Sequence, residues 1–234
     1  MGKLLTEDKS IVIPGEVLAE GMDYLPSLGT YREDQNIYAK ILGLVSIAGR
    51  TIKLIPLSGR YSPKKGDTLI CKVKDVTFSG WMLDTNCAYQ AMLGMKDATS
   101  DFIQRGADLR QYYDLGDYLV CTITNVTTQK LIDVSMKGPG LMKLKGGRII
   151  EVNPYKVPRI IGKQGSMVSM IKQATDCRIT VGQNGIVWIS GAPENELVVI
   201  ETLRMIEEQS HLSGLTDKVK AFLEKKTGKK LQGE

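Results

Sequence analysis

The chain has 234 residues, of which 42% are apolar and 24% charged, as in a folded protein rather than a disordered or fibrous one. Its 31 lysines and arginines against 26 aspartates and glutamates give a net charge of +5, which permits a nucleic-acid partner without requiring one. The start, MGKLLTEDKS, lacks the apolar core of a signal peptide, and residues 37–47 are too few to cross a bilayer. We therefore expect a soluble, cytoplasmic protein of two or three small domains.

The cysteines and the histidine indicate no catalytic or metal chemistry. Cys71, Cys87, Cys121 and Cys177 are too widely spaced in sequence for a zinc knuckle. Cys71 and Cys121 alternate with apolar residues, which predicts buried thiols on strand faces, and free thiols fit a reducing cytoplasm. His211, the single histidine, lies near the end of a predicted helix, where a surface position is simpler than a catalytic triad. We predict no metal, no cofactor and no catalytic residues.

Residues 1–60 carry the alternating pattern of a small β domain. A short strand is predicted at residues 11–13, before the turn pair Pro14-Gly15. Residues 36–47 alternate as one strand, and residues 51–57 return after a turn at residues 48–50. This domain shows no recognisable chemistry.

Residues 61–137 form a second β unit. Strands are predicted at residues 68–78, 81–87, 89–95, 118–126 and 131–136, and a short helix within residues 96–113. Gly66-Asp67 and Gly116-Asp117 mark two of the turns. Five strands over this length predict an OB-type barrel.

After the linker at residues 137–140, the apolar period lengthens towards that of helices. Residues 146–212 predict a strand at 148–152, helices at 156–161 and 166–175, strands at 177–181 and 186–189, and a helix at 193–211. Asn184-Gly185 is a strong hairpin turn between the two later strands. Residues 213–234 predict a last helix, at 216–226 and capped by Thr216, and a basic tail. The fold class is thus multidomain β and α+β.

The loop Gly162-Lys163-Gln164-Gly165 lies between the two short helices of this last region. The order β-α-GxxG-α-β-β-α resembles a KH domain of the eukaryotic type (type I), in which this loop clamps the backbone of single-stranded RNA or DNA. Glycines let a sugar-phosphate chain approach closely, and the second helix directs free N–H groups towards an anion. The candidate RNA-binding residues here are Arg159, Ile160, Ile161, Gly162, Lys163, Gln164 and Gly165, with Ile160, Ile161 and Ile179 as a possible floor for bases. The alternative is a tight turn between packed helices.

The middle unit resembles an S1 domain through Gly66-Asp67, the turn Phe78-Ser79-Gly80-Trp81, Gly116-Asp117 and residues 131–136. The resemblance implies single-stranded RNA binding, with Phe78 and Trp81 stacking on bases. Cationic residues that could follow the phosphates are Lys72, Lys74, Lys96, Arg105 and Arg110. The chain lacks the histidine that often follows the third strand, and barrel core is the alternative for Phe78 and Trp81.

Domain order, the stretch Val12 to Glu16 and the junction Ser58 to Pro63 together resemble the RNA-binding cap subunits of the archaeal exosome, of the Rrp4 type. That resemblance implies three copies of a non-catalytic subunit on a hexameric, phosphorolytic RNase ring. The N-terminal domain would dock on the ring, and the other domains would capture single-stranded RNA and feed its 3′ end inward. The alternatives are an S1/KH transcription or translation factor that does not bind the ring, and a stand-alone ribonuclease.

Overall fold

The computed structural model describes residues 2–104, 106–210 and 214–229, and the chain divides into two compact units at Gly59 and Arg60. Strands dominate as far as residue 151, and most helical residues follow. Predictions that concern Arg105, His211 and the end of the basic tail fall outside the described residues.

The first unit consists of short strands around one apolar core. Its strands are β1 (Lys3–Leu4), β2 (Ile11–Val12), β3 (Val17–Glu20), β4 (Leu25–Pro26), β5 (Thr30–Glu33), β6 (Asn36–Ala39), β7 (Gly43–Ala48) and β8 (Thr51–Pro56). They form two four-stranded sheets, ordered β1-β3-β6-β5 and β2-β7-β8-β4. Fully buried Leu18, Ile37, Ile52 and Leu54 belong to their shared core, which confirms a β domain here.

The prediction of one strand over residues 36–47 is wrong. Strands β6 and β7 belong to different sheets, and the chain leaves one for the other at residues 40–42. The alternation does not reveal the break, because Ile37 and Ala39 before it and Val45 after it all face the core. Ile41 packs against that core at the corner, so the apolar pattern continues while the backbone turns.

The second unit begins with a closed barrel. Its elements are β9 (Thr68–Thr77), β10 (Gly80–Asp84), β11 (Gln90–Gly94), α1 (Met95–Ala98), a 3₁₀ turn (Leu109–Gln111), β12 (Tyr118–Val126) and β13 (Ile132–Ser135). Antiparallel pairs join β9 to β10 and β12, β10 to β11, and β12 to β13, and a parallel pair of β11 with β13 closes the ring. The predicted five-stranded OB-type barrel is confirmed, although β10 ends at Asp84 rather than at Cys87.

Two cysteines lie inside this barrel, as their alternation predicts. Cys71 and Cys121 are fully buried, with their Sγ atoms 3.4 Å apart. The hydrogen bond with Cys121, together with burial, raises the pKa of the Cys71 thiol well above its usual range. Cys71 is therefore an inert core residue rather than a nucleophile.

The remaining elements form an α+β layer. They are β14 (Lys143–Leu144), β15 (Arg148–Glu151), a 3₁₀ turn (Pro154–Lys156), α2 (Val157–Ile161), α3 (Ser166–Thr175), β16 (Arg178–Val181), β17 (Ile186–Ser190), α4 (Pro193–Gln209) and α5 (Leu215–Thr227). The antiparallel sheet β15-β17-β16 packs under the helices, which confirms the type I KH order. Helix α5 begins at Leu215 after Gly214, so Thr216 lies in its first turn instead of capping it.

The barrel and the KH layer pack directly on each other. Strand β14 pairs with β12 of the barrel, where Leu144 lies opposite Tyr118. An apolar cluster then joins Ile70, Val120 and Leu144 to Ile186 and Trp188 of β17. The barrel and the KH fold therefore share a core.

Candidate nucleic-acid interface

The first glycine of the GxxG loop has a conformation that other residues rarely adopt. Gly162 ends α2 with φ 76° and ψ 176°, a region that is essentially restricted to glycine. A Cβ built there would lie 2.7 Å from both Cβ and the backbone N of Met167. Gly162 therefore lets the loop fold tightly against the start of α3.

The second glycine leaves the loop surface open. Gly165 has φ 82°, and a Cβ there would have no neighbour within 4 Å. The side chains of Lys163 and Gln164 are exposed. No side chain caps helix α3, and the Ser166 N–H already donates to the Lys163 carbonyl in the 3₁₀ turn Lys163–Gly165, so the amides left for an anion are those that follow Ser166. A cation, amide donors and an accessible backbone suit a phosphate oxygen.

The apolar residues around the loop do not form a floor for bases. Ile160 is fully buried and Ile179 nearly so, both within the core under the helices. Only Ile161 is half-buried, while Arg159 is exposed. The prediction that Ile160 and Ile179 contact bases is therefore wrong, because helix packing already covers both side chains. What remains exposed favours backbone contacts.

The turn between β9 and β10 separates two aromatic residues with opposite environments. Phe78 is 94% exposed, whereas Trp81 is fully buried in the barrel core. The indole N–H of Trp81 donates to the carbonyl of Tyr113 at 2.8 Å, and the two rings pack edge to face. Stacking on a base is thus excluded for Trp81 in this fold, and only Phe78 of the predicted pair can stack.

Glycine at position 80 makes this turn possible. A Cβ on Gly80 would lie 2.2 Å from the carbonyl oxygen of Leu93, because β10 and β11 approach closely there. The close approach of Gly80 to β11 fixes the position of the turn. The exposed ring of Phe78 is therefore held at a fixed place on the barrel.

Two open grooves on the barrel share one lining residue, Met95. One, of about 740 Å³, lies between Phe78 and the 3₁₀ turn that carries Arg110, and the other, of about 590 Å³, lies beside Phe102. Phe102 was not predicted from the sequence, although a single phenylalanine within the polar segment 96–113 could have indicated it.

The predicted cationic residues occupy different parts of the barrel. Lys72 and Lys74 are exposed along β9, and the Nζ atom of Lys72 lies 5.7 Å from the centroid of the Tyr118 ring. Lys96 and Arg110 border the two grooves, and both are exposed. Arg105 lies outside the described residues.

The outer face of β10 and β11 carries a methionine pair that the sequence pattern did not predict. Met82 and Met92 lie directly opposite each other, and both are partly exposed. Asp75 is paired with Met82 from β9, and Asp133 with Met92 from β13. The middle of this face is thus apolar with acidic borders.

The described residues include no candidate metal centre. Within residues 2–104, 106–210 and 214–229, no group of three or more histidine, cysteine, aspartate or glutamate side chains could hold a metal ion. No helix in the same part of the chain is long and apolar enough to cross a membrane. Burial raises the pKa of Tyr113, whose hydroxyl donates to the carbonyl of Ala98 at 3.0 Å.

The closed OB barrel and the KH fold with its exposed glycine loop are both characteristic of RNA-binding proteins. A family model of the N-terminal domain of the exosome RNA-binding protein Rrp4 matches residues 9–58, and a KH-domain model matches residues 147–195. The exosome complex component Rrp4 of Methanothermus fervidus is 42% identical over 94% of this chain and 97% of its own length. The chain belongs to the Rrp4 family of exosome complex components.

Two further relatives agree with this assignment. The Rrp4 component of Pyrococcus abyssi is 42% identical over 95% of this chain and 85% of its own length. A crystal structure assigned to an exosome complex RNA-binding protein superposes with a TM-score of 0.65 and 28% identity, covering 72% of this chain and 97% of that one. The resemblance to archaeal exosome subunits is confirmed.

Proposed function

We propose that this chain is a non-catalytic RNA-binding cap subunit that captures single-stranded RNA and feeds its 3′ end to the phosphorolytic RNase ring of the exosome. The observation that carries the proposal is the likeness to relatives named exosome complex component Rrp4 along nearly the whole chain. The proposed partners are single-stranded RNA and a hexameric ring that holds three copies of this subunit. The proposed location is the cytoplasm.

The KH loop supplies a backbone clamp in this proposal. Gly165 admits a sugar-phosphate chain, Lys163 provides a charge, and the N-terminus of α3 provides amide donors. Because buried Ile160 and Ile179 offer no surface to bases, this clamp would hold RNA of any sequence. That behaviour suits a subunit that handles varied transcripts.

The barrel supplies base stacking and further phosphate contacts. Phe78 presents a free ring, and stacking on such a ring contributes about 1–3 kcal/mol per base. The cations proposed to follow the strand are Lys72, Lys74, Lys96, Arg105 and Arg110. The ring-docking role belongs to the first unit, residues 1–59, which exposes apolar side chains including Ile11, Ile13, Met22 and Leu28.

RNA capture is tested by fluorescence anisotropy with a labelled adenosine oligomer across a salt series. The test variant, Lys163→Asp/Gln164→Asp, reverses the charge of the loop. The chain contains a matched control, because Lys172 and Gln173 are exposed on helix α3, which follows the loop, and Lys172→Asp/Gln173→Asp changes the net charge equally. We expect the loop variant to bind at least tenfold more weakly with a shallower salt dependence, and the control to bind like the wild type.

If both variants bound RNA equally weakly, net charge alone would explain the loss of affinity. If both bound like the wild type, the loop would not contact the RNA. The oligomer is checked for intactness after each titration, because degradation by purified protein would contradict a non-catalytic role. Ring attachment is measured separately, by light scattering of the protein mixed with an archaeal RNase ring. Failure to bind the ring while RNA still binds would favour a free-standing RNA-binding factor.

A further inference from the structure

Phe78 and Phe102 have the most exposed large apolar side chains of the described residues. Phe78 is 94% exposed and Phe102 is 87% exposed, and both rings lie on the barrel. Leaving a phenylalanine ring in water forgoes about 1.5–3 kcal/mol of burial. Two exposed rings, each bordering one of two grooves that share Met95, therefore indicate a ligand that covers them.

The segment that carries Phe102 is anchored to the barrel. Ala98, Ile103 and Leu109 are buried in the barrel core, and the Tyr113 hydroxyl donates to the carbonyl of Ala98 at 3.0 Å. The backbone N–H of Met136 donates to the carbonyl of Asp97 at 2.8 Å. Because Ile103 points inward, its neighbour Phe102 is directed away from the core by a held backbone.

The two rings lie beside adjoining grooves. Met95 lines both the groove next to Phe78 and the groove next to Phe102. Its backbone N–H donates to the carbonyl of Ser79 at 3.2 Å, which fixes Met95 against the turn that carries Phe78. One chain-like ligand can therefore follow a continuous surface past both rings.

The charges around these grooves match a phosphate chain. Lys96 and Lys137 border the Phe102 groove, and Arg110 borders the Phe78 groove. None of the three makes an ion pair with another described residue, although Asp101 and Asp108 lie in the same linings. Aromatic faces next to unpaired cations are the arrangement that binds single-stranded nucleic acid, because bases stack while phosphates face the cations.

We propose that Phe102 is a second base-stacking residue of the barrel. One unpaired base stacks on Phe78 and another on Phe102, and the strand between them passes Met95 with its phosphates near Lys96, Lys137 and Arg110. This inference rests on the RNA capture proposed above, and it adds a residue that the S1 and KH resemblances did not supply.

The test compares three substitutions at one exposed position by anisotropy with the labelled adenosine oligomer. Phe102→Ala removes the ring, Phe102→Leu keeps apolar area without an aromatic face, and Phe102→Trp keeps the face. We expect the alanine and leucine variants to bind the oligomer about 5- to 100-fold more weakly than the wild type. The tryptophan variant should bind within about threefold of the wild type. A 2-aminopurine base within the oligomer should lose less fluorescence on binding Phe102→Leu than on binding the wild type.

Leu131→Ala is the matched control, because Leu131 is an exposed apolar residue of the same barrel that lines neither groove. Wild-type affinity in all Phe102 variants, with Phe78→Ala still weakened, would overturn this inference alone. No RNA binding by the wild type would overturn RNA capture as well. If Phe102→Leu bound RNA with full affinity, base stacking on Phe102 would be excluded. If a Phe102 variant bound RNA normally but no longer bound the RNase ring, Phe102 would belong to a protein contact.

Discussion

The side chain of Asn184 pairs with both backbone polar groups of Ile70. Its Nδ2 donates to the Ile70 carbonyl at 2.8 Å, and its Oδ1 accepts from the Ile70 N–H at 3.3 Å. The same Nδ2 also donates to the carbonyl of Thr85 at 2.9 Å. The tip of the KH hairpin thus binds strand β9 of the barrel much as a neighbouring strand would, and the KH and barrel surfaces keep a fixed relationship.

We predict that Asn184→Ala destabilises this joint. The substitution leaves the Ile70 N–H and two carbonyls buried without partners, for an expected loss of about 2–4 kcal/mol in the free energy of unfolding. The measurement is urea unfolding followed by tryptophan fluorescence. Both tryptophans, Trp81 and Trp188, lie in the second unit, so the signal reports on that unit alone.

Asn125→Ala is the control for this prediction. Asn125 is exposed on β12 and bonds only the Asp133 carboxylate, at 3.3 Å. Its loss should change the unfolding free energy by less than about 0.5 kcal/mol. If the two alanine variants were equally stable, Asn184 would not hold the joint.

The two glycines of the KH loop should differ in their tolerance of a side chain. Gly162→Ala places a side chain in a backbone region restricted to glycine and in a clash with Met167. We expect it to lower the free energy of unfolding by about 2–5 kcal/mol. The Cβ of Gly165→Ala would meet open space, so only its left-handed backbone conformation is unfavourable. We expect a loss of about 1–2 kcal/mol in the free energy of unfolding. Unfolding in urea measures both, and a larger cost at Gly165 would contradict this description of the loop.

The sequence was sufficient for elements whose pattern is local. The helix over residues 166–175 has its predicted bounds, because apolar residues at helical spacing follow a glycine that ends the preceding loop. The strand over residues 118–126 also has its predicted bounds, since its alternation is unbroken between turn residues. Both segments follow rules that act within a few residues.

The sequence was insufficient where a contact is distant. Hairpin chemistry predicted the turn at Asn184-Gly185 but not the burial of Asn184 against Ile70, which is 114 residues away in the chain. Phe78 and Trp81 are both aromatic residues near one turn, and only the closure of the barrel decides that one is exposed and the other buried. Ile160 was misplaced for the same reason, because helix packing determines which side of α2 is covered.

The ion pair of Asp117 with Lys143 should make stability depend on pH in the acid range. Burial by itself would raise the pKa of Asp117, but hydrogen bonds from Lys143 and from the Asp114 backbone N–H, the latter at 2.7 Å, lower it below its ordinary value. A carboxyl group with a lowered pKa stabilises the fold above about pH 4, where the unfolded group is also ionised. That stabilisation disappears as the pH falls through the pKa of the folded state.

Asp117→Asn should therefore be less stable than the wild type by about 0.5–1 kcal/mol at neutral pH, since the pair is partly exposed. The gap should close as the pH falls below about 4, where the wild-type carboxylate becomes protonated. Urea unfolding at a series of pH values measures the gap, with Asp101→Asn on the exposed loop as control. A gap that widens in acid would contradict a lowered pKa.

The aromatic residues on either side of the β9–β10 turn should separate stability from binding. Trp81→Ala leaves a cavity at a fully buried site and removes the hydrogen bond to the Tyr113 carbonyl. We therefore expect a loss of about 3–5 kcal/mol in the free energy of unfolding. Phe78→Ala removes a solvated ring and should change stability by less than about 0.5 kcal/mol. The same variant should bind the adenosine oligomer about 5- to 100-fold more weakly, because it loses a stacking face. Thermal unfolding and anisotropy on both variants measure the two effects, and a Phe78→Ala variant with wild-type affinity would exclude this ring from the RNA path.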